Sequence, residues 1–206
     1  MALPVLPRAF YLNPPDQVAR ALLGKVLVRR YVVQKNSGRI VERLAGRIVE
    51  VEAYFGLDDP AAHAFAGKTP RNAVLFGPPG FAYVYFIYGM HYCLNLSCEP
   101  EGQAGSVLLR ALEPLEGLAT MARLRGLAEG ANPRLLASGP GRLCQALGIA
   151  RETHNGLDAT SRRSGLRVED DGFVPGEIAV TPRVGIRHAA ERPLRFSIAR
   201  NRFVSR

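Results

Sequence analysis

From Arg39 to Tyr54 the chain is rich in β-branched and apolar residues, with a single glycine, Gly46, and no proline. A stretch of this kind and length predicts one long strand, interrupted, if anywhere, at Gly46. Such a strand forces the rest of the chain to supply partners. Lys25 to Val33 is β-branched and reads as the first of them, joined through a turn at Lys35-Asn36-Ser37-Gly38. Further strands are expected at Phe81–Ile87, Tyr92–Ser97, Ser106–Leu112, Ile178–Thr181, Arg183–Ile186 and Leu194–Ile198, with a lead-in at Val168–Asp171. Most connections between them are short, which favours antiparallel pairing. Tyr88-Gly89-Met90-His91 reads as the tip of a hairpin.

Helices fill fewer positions. Asn13 followed by Pro14 and Pro15 predicts a cap and a proline in the first turn. Val18, Ala19, Leu22 and Leu23 then make one apolar stripe, and Gly24 ends it. Leu115–Leu127 reads as a second helix, and Ser138-Gly139-Pro140-Gly141 opens a third over Arg142–Leu147. Gly56–Gly80 is loop-like. The expected architecture is one α+β domain over residues 1–206: a curved, mostly antiparallel sheet flanked by helices. The chain is long enough to bury a core without staples.

Charge narrows the partners. Lys and Arg number 27 against 18 Asp and Glu, a net charge of +9. The only lysines are Lys25, Lys35 and Lys68. A GC-rich genome would explain the preference for arginine, but not the excess of cations, which points to an anionic partner. No run of about 18 apolar residues is present, so no membrane-spanning helix is expected. Met1–Phe10 is too short and too proline-broken for a secretory signal. Cys93, Cys98 and Cys144 match neither a disulfide framework nor a zinc site, so a reducing, intracellular compartment is expected. Gly24-Lys25 lacks the other residues of a phosphate loop. His91 with Cys93 and Cys98 has the wrong spacing for a metal.

Three segments could carry chemistry. In Arg47–Tyr54, Val49, Val51 and Ala53 are expected to share the core face, and Glu50, Glu52 and Tyr54 the other. A carboxylate two residues from an aromatic suits a flat ring held beside a general base, although a solvent-facing strand edge would read the same way. In Phe81–Met90, Phe81, Tyr83 and Tyr85 alternate onto one face, and Tyr88 breaks the alternation at the tip. Stacking platforms and duplex wedges need such side chains, as do ordinary cores. The third segment is His63 with Thr69-Pro70-Arg71-Asn72, where Arg71 could cap a loop or contact phosphate.

Taken together, Ile48–Tyr54, Ala61-Ala62-His63, Thr69–Asn72 and Tyr83–Met90 resemble the alkyladenine DNA glycosylase family, also called 3-methyladenine or methylpurine DNA glycosylases. Leu108–Gly117, Ser138–Gly141 with Leu143–Leu147, Arg183-Val184-Gly185 and Pro193–Phe196 extend the resemblance from about Phe10 to the C-terminus. The resemblance implies a base-excision-repair enzyme. It would flip alkylated or deaminated purines from duplex DNA and hydrolyse the N-glycosidic bond, without metal, cofactor or lyase step.

Residue by residue, the resemblance makes Glu52 the general base, with Arg110 and the backbone of Val184 helping to hold the attacking water. It assigns Tyr54, His63 and Tyr85 to the pocket around the flipped base, and Asn95 to the crowding of guanine's 2-amino group. Tyr88 becomes the intercalating wedge, and Arg71 a contact to the DNA backbone. A monomer, located with the nucleoid in a bacterial cytoplasm, is expected. His91 stands where an aromatic is more familiar, and the turn between His63 and Thr69 is short. A non-catalytic nucleic-acid-binding module is the alternative, against which a buried Glu52 would argue.

Overall fold

The computed structural model describes residues 3–35 and 38–205. It is an α+β fold built on a curled antiparallel sheet. Strands β1 (Val26–Lys35) and β2 (Gly38–Phe55) form a long hairpin; the expected turn between them falls, at Asn36 and Ser37, outside the described residues. β3 (Ala82–Ile87), β4 (His91–Cys98) and β5 (Gly105–Glu116) follow, then β6 (Leu166–Glu169), β7 (Ile178–Thr181) and β8 (Arg195–Ile198). The order is β3-β4-β5-β2-β1-β6. β2 is long enough to use two partners on one side. Its first half pairs with β1, and Glu50–Glu52 pair with β8, which carries β7. The segment holding Glu50 and Glu52 is thus flanked by β5 on one side and β8 on the other.

The β2–β5 ladder is irregular where the site lies. Ile48 faces Leu112, Glu50 faces Ala111 and Val51 faces Leu109, so Val49 on β2 and Arg110 on β5 are each extra residues. Opposed bulges of this sort re-aim side chains. They correct the simple alternation: Val51 and Ala53 enter the main core, but so does Ile48, while Val49 packs with Ala111 and Phe203 in a separate cluster. Beyond the bulges Glu52 and Tyr54 share one face, as the two-residue period requires.

Helices α1 (Pro15–Leu22), α2 (Leu118–Leu124), α3 (Arg134–Ala137), α4 (Pro140–Ala146) and α5 (Arg151–His154) complete the fold. The main core joins Leu22 of α1 and Leu143 of α4 to Val84, Leu94, Leu96 and Leu109 of the sheet. The opposite faces of β3 and β4 present Tyr83, Tyr85 and Cys93 to Leu75 and Phe76 of the 56–80 loop, forming a second cluster. Alternation along β3 and β4 therefore feeds two cores, and the site lies against the second.

Three expectations need correction. Asn13 does not cap α1: Pro14 holds the cap position and its carbonyl accepts from Gln17 and Val18 N–H at 3.0 Å each, while Asn13 turns back to Phe10. Leu115 and Glu116 extend β5 instead of starting a helix. The break comes at Gly117 (φ +78°), where a Cβ would lie 2.3 Å from Leu44 Cδ2; a strand-to-helix turn this close to β2 admits only glycine. Arg183–Ile186 is a loop, not a strand, and the Val184 N–H is turned to another use.

Candidate active site

Glu52 is fully buried. Its Oε1 accepts from the Val184 N–H at 2.8 Å and lies 3.1 Å from an Arg110 terminal nitrogen. Its Oε2 accepts from the Tyr54 hydroxyl at 2.8 Å. The three partners come from β5, the loop after β7 and β2 itself, and all three border a cavity of about 340 Å³. The carboxylate therefore stands directly behind the cavity floor, accepting from two donors and ion-paired with Arg110. Burial and the Glu52 carboxylate both push the Tyr54 phenol far up, so it stays a neutral donor. Burial opposes the charge of Arg110, but Glu52 and Glu50 hold its guanidinium above the ordinary range.

The cavity walls are aromatic. Tyr85 and His63 meet edge to face, with ring centroids 4.4 Å apart, and Tyr83 stacks behind Tyr85 at 5.2 Å. Tyr54 stands apart from this pair on β2, backed by the Arg183 guanidinium 4.6 Å from its ring centre. His63 is fixed through Nδ1 to the Tyr83 hydroxyl at 3.0 Å. Its loop is tied by Asn72, whose amide donates to the His63 and Gly67 carbonyls at 2.8 and 3.0 Å. Desolvation, then the nearby Arg71 charge, lower the His63 imidazole, which favours its neutral form near pH 7. Burial raises Tyr85 well above the usual phenol range and pushes Cys93 beside it up to about 11. The base-sized space is thus lined by neutral rings.

Asn95 on β4 also borders the cavity; its amide nitrogen donates to Ser106 Oγ at 3.1 Å, and its Oδ1 is buried without a hydrogen-bond partner among the described residues. Tyr88 stands at the tip of the β3–β4 hairpin with 77% of its surface exposed and φ +51°, beside Met90. The hairpin is braced next to its tip. His91 packs on Gly141 of α4, where a Cβ would lie 3.0 Å from the imidazole. Glu52, Tyr54, His63, Tyr85, Tyr88, Asn95, Arg110 and Val184 are all brought to this one place. Arg71 is exposed beside His63 and Tyr83 and borders neither the cavity nor the groove next to it.

The expectations from sequence omitted several neighbours. Ser106 and Leu108 precede Arg110 at two-residue spacing on β5 and line the cavity with it, a period that could have found them. Asp59 and Arg183, both with fully buried side chains, form a bidentate pair that anchors the loop bearing Val184. Nothing local in the sequence connects them. A groove of about 700 Å³ continues from the cavity past Tyr88 and is lined by Arg125, Arg134 and Arg142. Among the described residues these three have no carboxylate partner, and burial and Arg142 together weaken the protonation of Arg125. Cations held together without counter-charge make an anion-binding track.

A methylpurine-DNA glycosylase family model matches residues 9–202. The chain belongs to the methylpurine-DNA glycosylase family. Its relatives include a Koribacter versatilis protein named "Putative 3-methyladenine DNA glycosylase", 58% identical over 200 residues that span 97% of this chain and 92% of the relative. Proteins of the same name from Burkholderia cenocepacia and Rhodopseudomonas palustris are 48% and 47% identical, covering 98% of this chain and 91% and 89% of their own lengths. The aromatic cavity, the buried carboxylate behind it and the arginine groove beside it are therefore features of a methylpurine-DNA glycosylase family member. No described helix is long and apolar enough to cross a membrane.

Proposed function

We propose that this DNA-repair glycosylase, acting as a single domain and a monomer, receives a damaged purine turned out of duplex DNA and hydrolyses its N-glycosidic bond with Glu52 as general base. A base inside a duplex cannot be attacked at its sugar carbon, so the nucleotide must rotate out by about 180°. Tyr88 fills the gap it leaves, and the cations of the groove, with Arg71 beside His63, hold the distorted backbone. The purine enters between Tyr54 on one side and His63 with Tyr85 on the other. Neutral rings suit an alkylated purine, which carries positive charge and gains from their faces.

Water at the cavity floor is oriented by Arg110 and the Val184 backbone. As the bond from the purine to C1′ breaks, its electrons pass to the base and the sugar becomes oxocarbenium-like, which anionic Glu52 stabilises. The water oxygen bonds to C1′ and its proton passes to Glu52. The products are free base and an abasic site. Among the described residues no lysine lines the cavity or the groove, so none there offers a nucleophile for a Schiff-base strand-cleaving step.

Asn95 borders the space a guanine 2-amino group would need. Recognition by stacking fits several lesions, among them 3-methyladenine, 7-methylguanine, hypoxanthine and ethenoadenine.

The observation that carries this reading is Glu52: a fully buried carboxylate whose two hydrogen-bond donors and ion-pair partner all border an aromatic cavity. Glu52→Gln keeps the shape and removes the base, with an expected loss of about 10²–10⁴-fold in single-turnover base release and retained affinity for lesion-bearing duplex. Base release by the variant near the wild-type rate would remove Glu52 from the mechanism.

A further inference from the structure

A second carboxylate lies two residues before Glu52. Glu50 is fully buried and borders neither the cavity nor the groove, so it cannot touch a bound base. Its Oε1 accepts from Arg110 Nε at 2.8 Å, Arg195 Nε at 2.7 Å and Ser205 Oγ at 2.9 Å. Its Oε2 accepts from the Ser205 N–H at 2.6 Å. Arg110 therefore spans two carboxylates on the same strand, giving Nε to Glu50 and a terminal nitrogen to Glu52. The two carboxylates, Glu50 and Glu52, are balanced by Arg110 and Arg195.

This arrangement addresses a difficulty in the chemistry. A guanidinium 3.1 Å from Glu52 stabilises its anion, whereas a general base must take up a proton. If Arg110 faced Glu52 alone, the carboxylate would be well oriented but weakly basic. Glu50 claims the inner edge of the same guanidinium and sets its plane.

The geometry points to Glu50 as a positioning residue: it fixes Arg110 and shares its charge, so that Arg110 orients Glu52 without being paired to it alone. The inference rests on Glu52 being the base. The other groups facing Glu52 are the Tyr54 hydroxyl from β2, the Val184 N–H and Arg183 from the loop after β7, and Cys93 from β4. Among the described residues, Arg195 of β8 and Ser205, near the C-terminus, join Arg110 on Glu50. Arg195 also donates to Thr181 at 3.2 Å, which keeps it on the far side from the cavity.

The test is the pH dependence of single-turnover base release from a dimethyl-sulfate-methylated duplex, measured for wild type, Glu50→Gln, Glu50→Asp and the double variant Glu50→Gln/Arg195→Gln. In Glu50→Gln the charge of Arg110 acts on Glu52 alone. The acid limb should move to lower pH by about 1 or more, as expected for an opposite charge in contact. The plateau rate should fall by up to about tenfold, in line with a weaker base. Duplex affinity should stay within about twofold, since Glu50 touches no ligand.

The double variant restores the local charge balance and should show a limb displaced in the same direction, though by less, even if Glu50→Gln folds poorly. Glu50→Asp keeps the charge and should keep the wild-type limb. Slower variants with an unmoved acid limb would make Glu50 merely structural and overturn the inference while leaving Glu52 as base. Failure of the wild-type enzyme to release base would overturn the functional reading itself, and this inference with it.

Discussion

Asp59→Asn is expected to be the most informative stability variant in the chain. Both side chains of the Asp59–Arg183 pair are 0% exposed. Arg183 gives both terminal nitrogens to the carboxylate and one of them also to the Ala53 carbonyl at 3.0 Å, while the Ala61 and Phe55 N–H groups reach Asp59 at 3.1 and 3.3 Å. Asparagine has nearly the same shape but leaves Arg183 as a buried charge without a counter-ion. Removing one partner of such a pair costs about 3–5 kcal/mol, a large part of a total that for most domains is about 5–15 kcal/mol. The double variant Asp59→Asn/Arg183→Met leaves no orphan charge and should recover at least about half of that loss.

Burial opposes ionisation of Asp59, but the Arg183 and backbone hydrogen bonds outweigh it and hold the carboxyl below its usual range. With a folded pKa below the unfolded one, the contribution is fully present above about pH 4 and is lost as pH falls through the folded value. The difference between wild type and Asp59→Asn should thus be constant from pH 5 to 8 and narrow only in acid. Urea denaturation across that range measures it. A loss under about 1 kcal/mol at pH 7, or a double variant no more stable than the single one, would refute the argument. Because Arg183 precedes the residue whose N–H holds Glu52, base release should fall in the single variant even where it remains folded.

Two further outcomes follow from the same surface. Tyr88→Ala should weaken binding to lesion-bearing duplex more than binding to undamaged duplex, as read by titration of both; equal losses would make the exposed tyrosine structural. Raising salt should lower duplex affinity with a log–log slope near −0.9 per phosphate neutralised, while the single-turnover rate at saturating enzyme changes little, because Glu52 acts where screening is weak. A flat binding curve would remove the arginine groove from DNA binding.

Much of the sheet is readable from side-chain period. Ile178–Thr181 is a strand with those limits, and the β3–β4 hairpin turns at Tyr88-Gly89-Met90. What period cannot register is an added residue. Val49 and Arg110 are bulges opposite one another across a ladder, and only pairing in three dimensions decides that Ile48 joins the main core and Val49 does not. The backbone also overrode local signals at Asn13, Gly117 and Arg183–Ile186. Glu52 and Tyr54 could be paired from spacing alone. Their meeting with Val184, 132 residues away, was reachable only through family resemblance, because long-range contacts leave no mark on either segment. Asp59–Arg183 and the Arg125–Arg134–Arg142 groove have no such signature, and neither was anticipated.

The β3–β4 hairpin carries Tyr85 and Asn95 on its two strands and Tyr88 at its end. In the proposed role, the depth at which the tip enters a helix and the height at which the extruded base comes to rest are set by one piece of backbone. The hairpin is then a gauge with its scale written in residues. Since each strand residue adds about 3.3 Å and reverses the side of the sheet a side chain faces, length and composition are under different constraints. The tip can exchange one apolar side chain for another and still reach the stack. Adding or removing one residue between Tyr85 and Tyr88 would turn the wedge away from the chamber it serves. Related chains that work on the same kind of lesion should therefore differ in what stands at the tip far more freely than in how many residues separate it from the ring below.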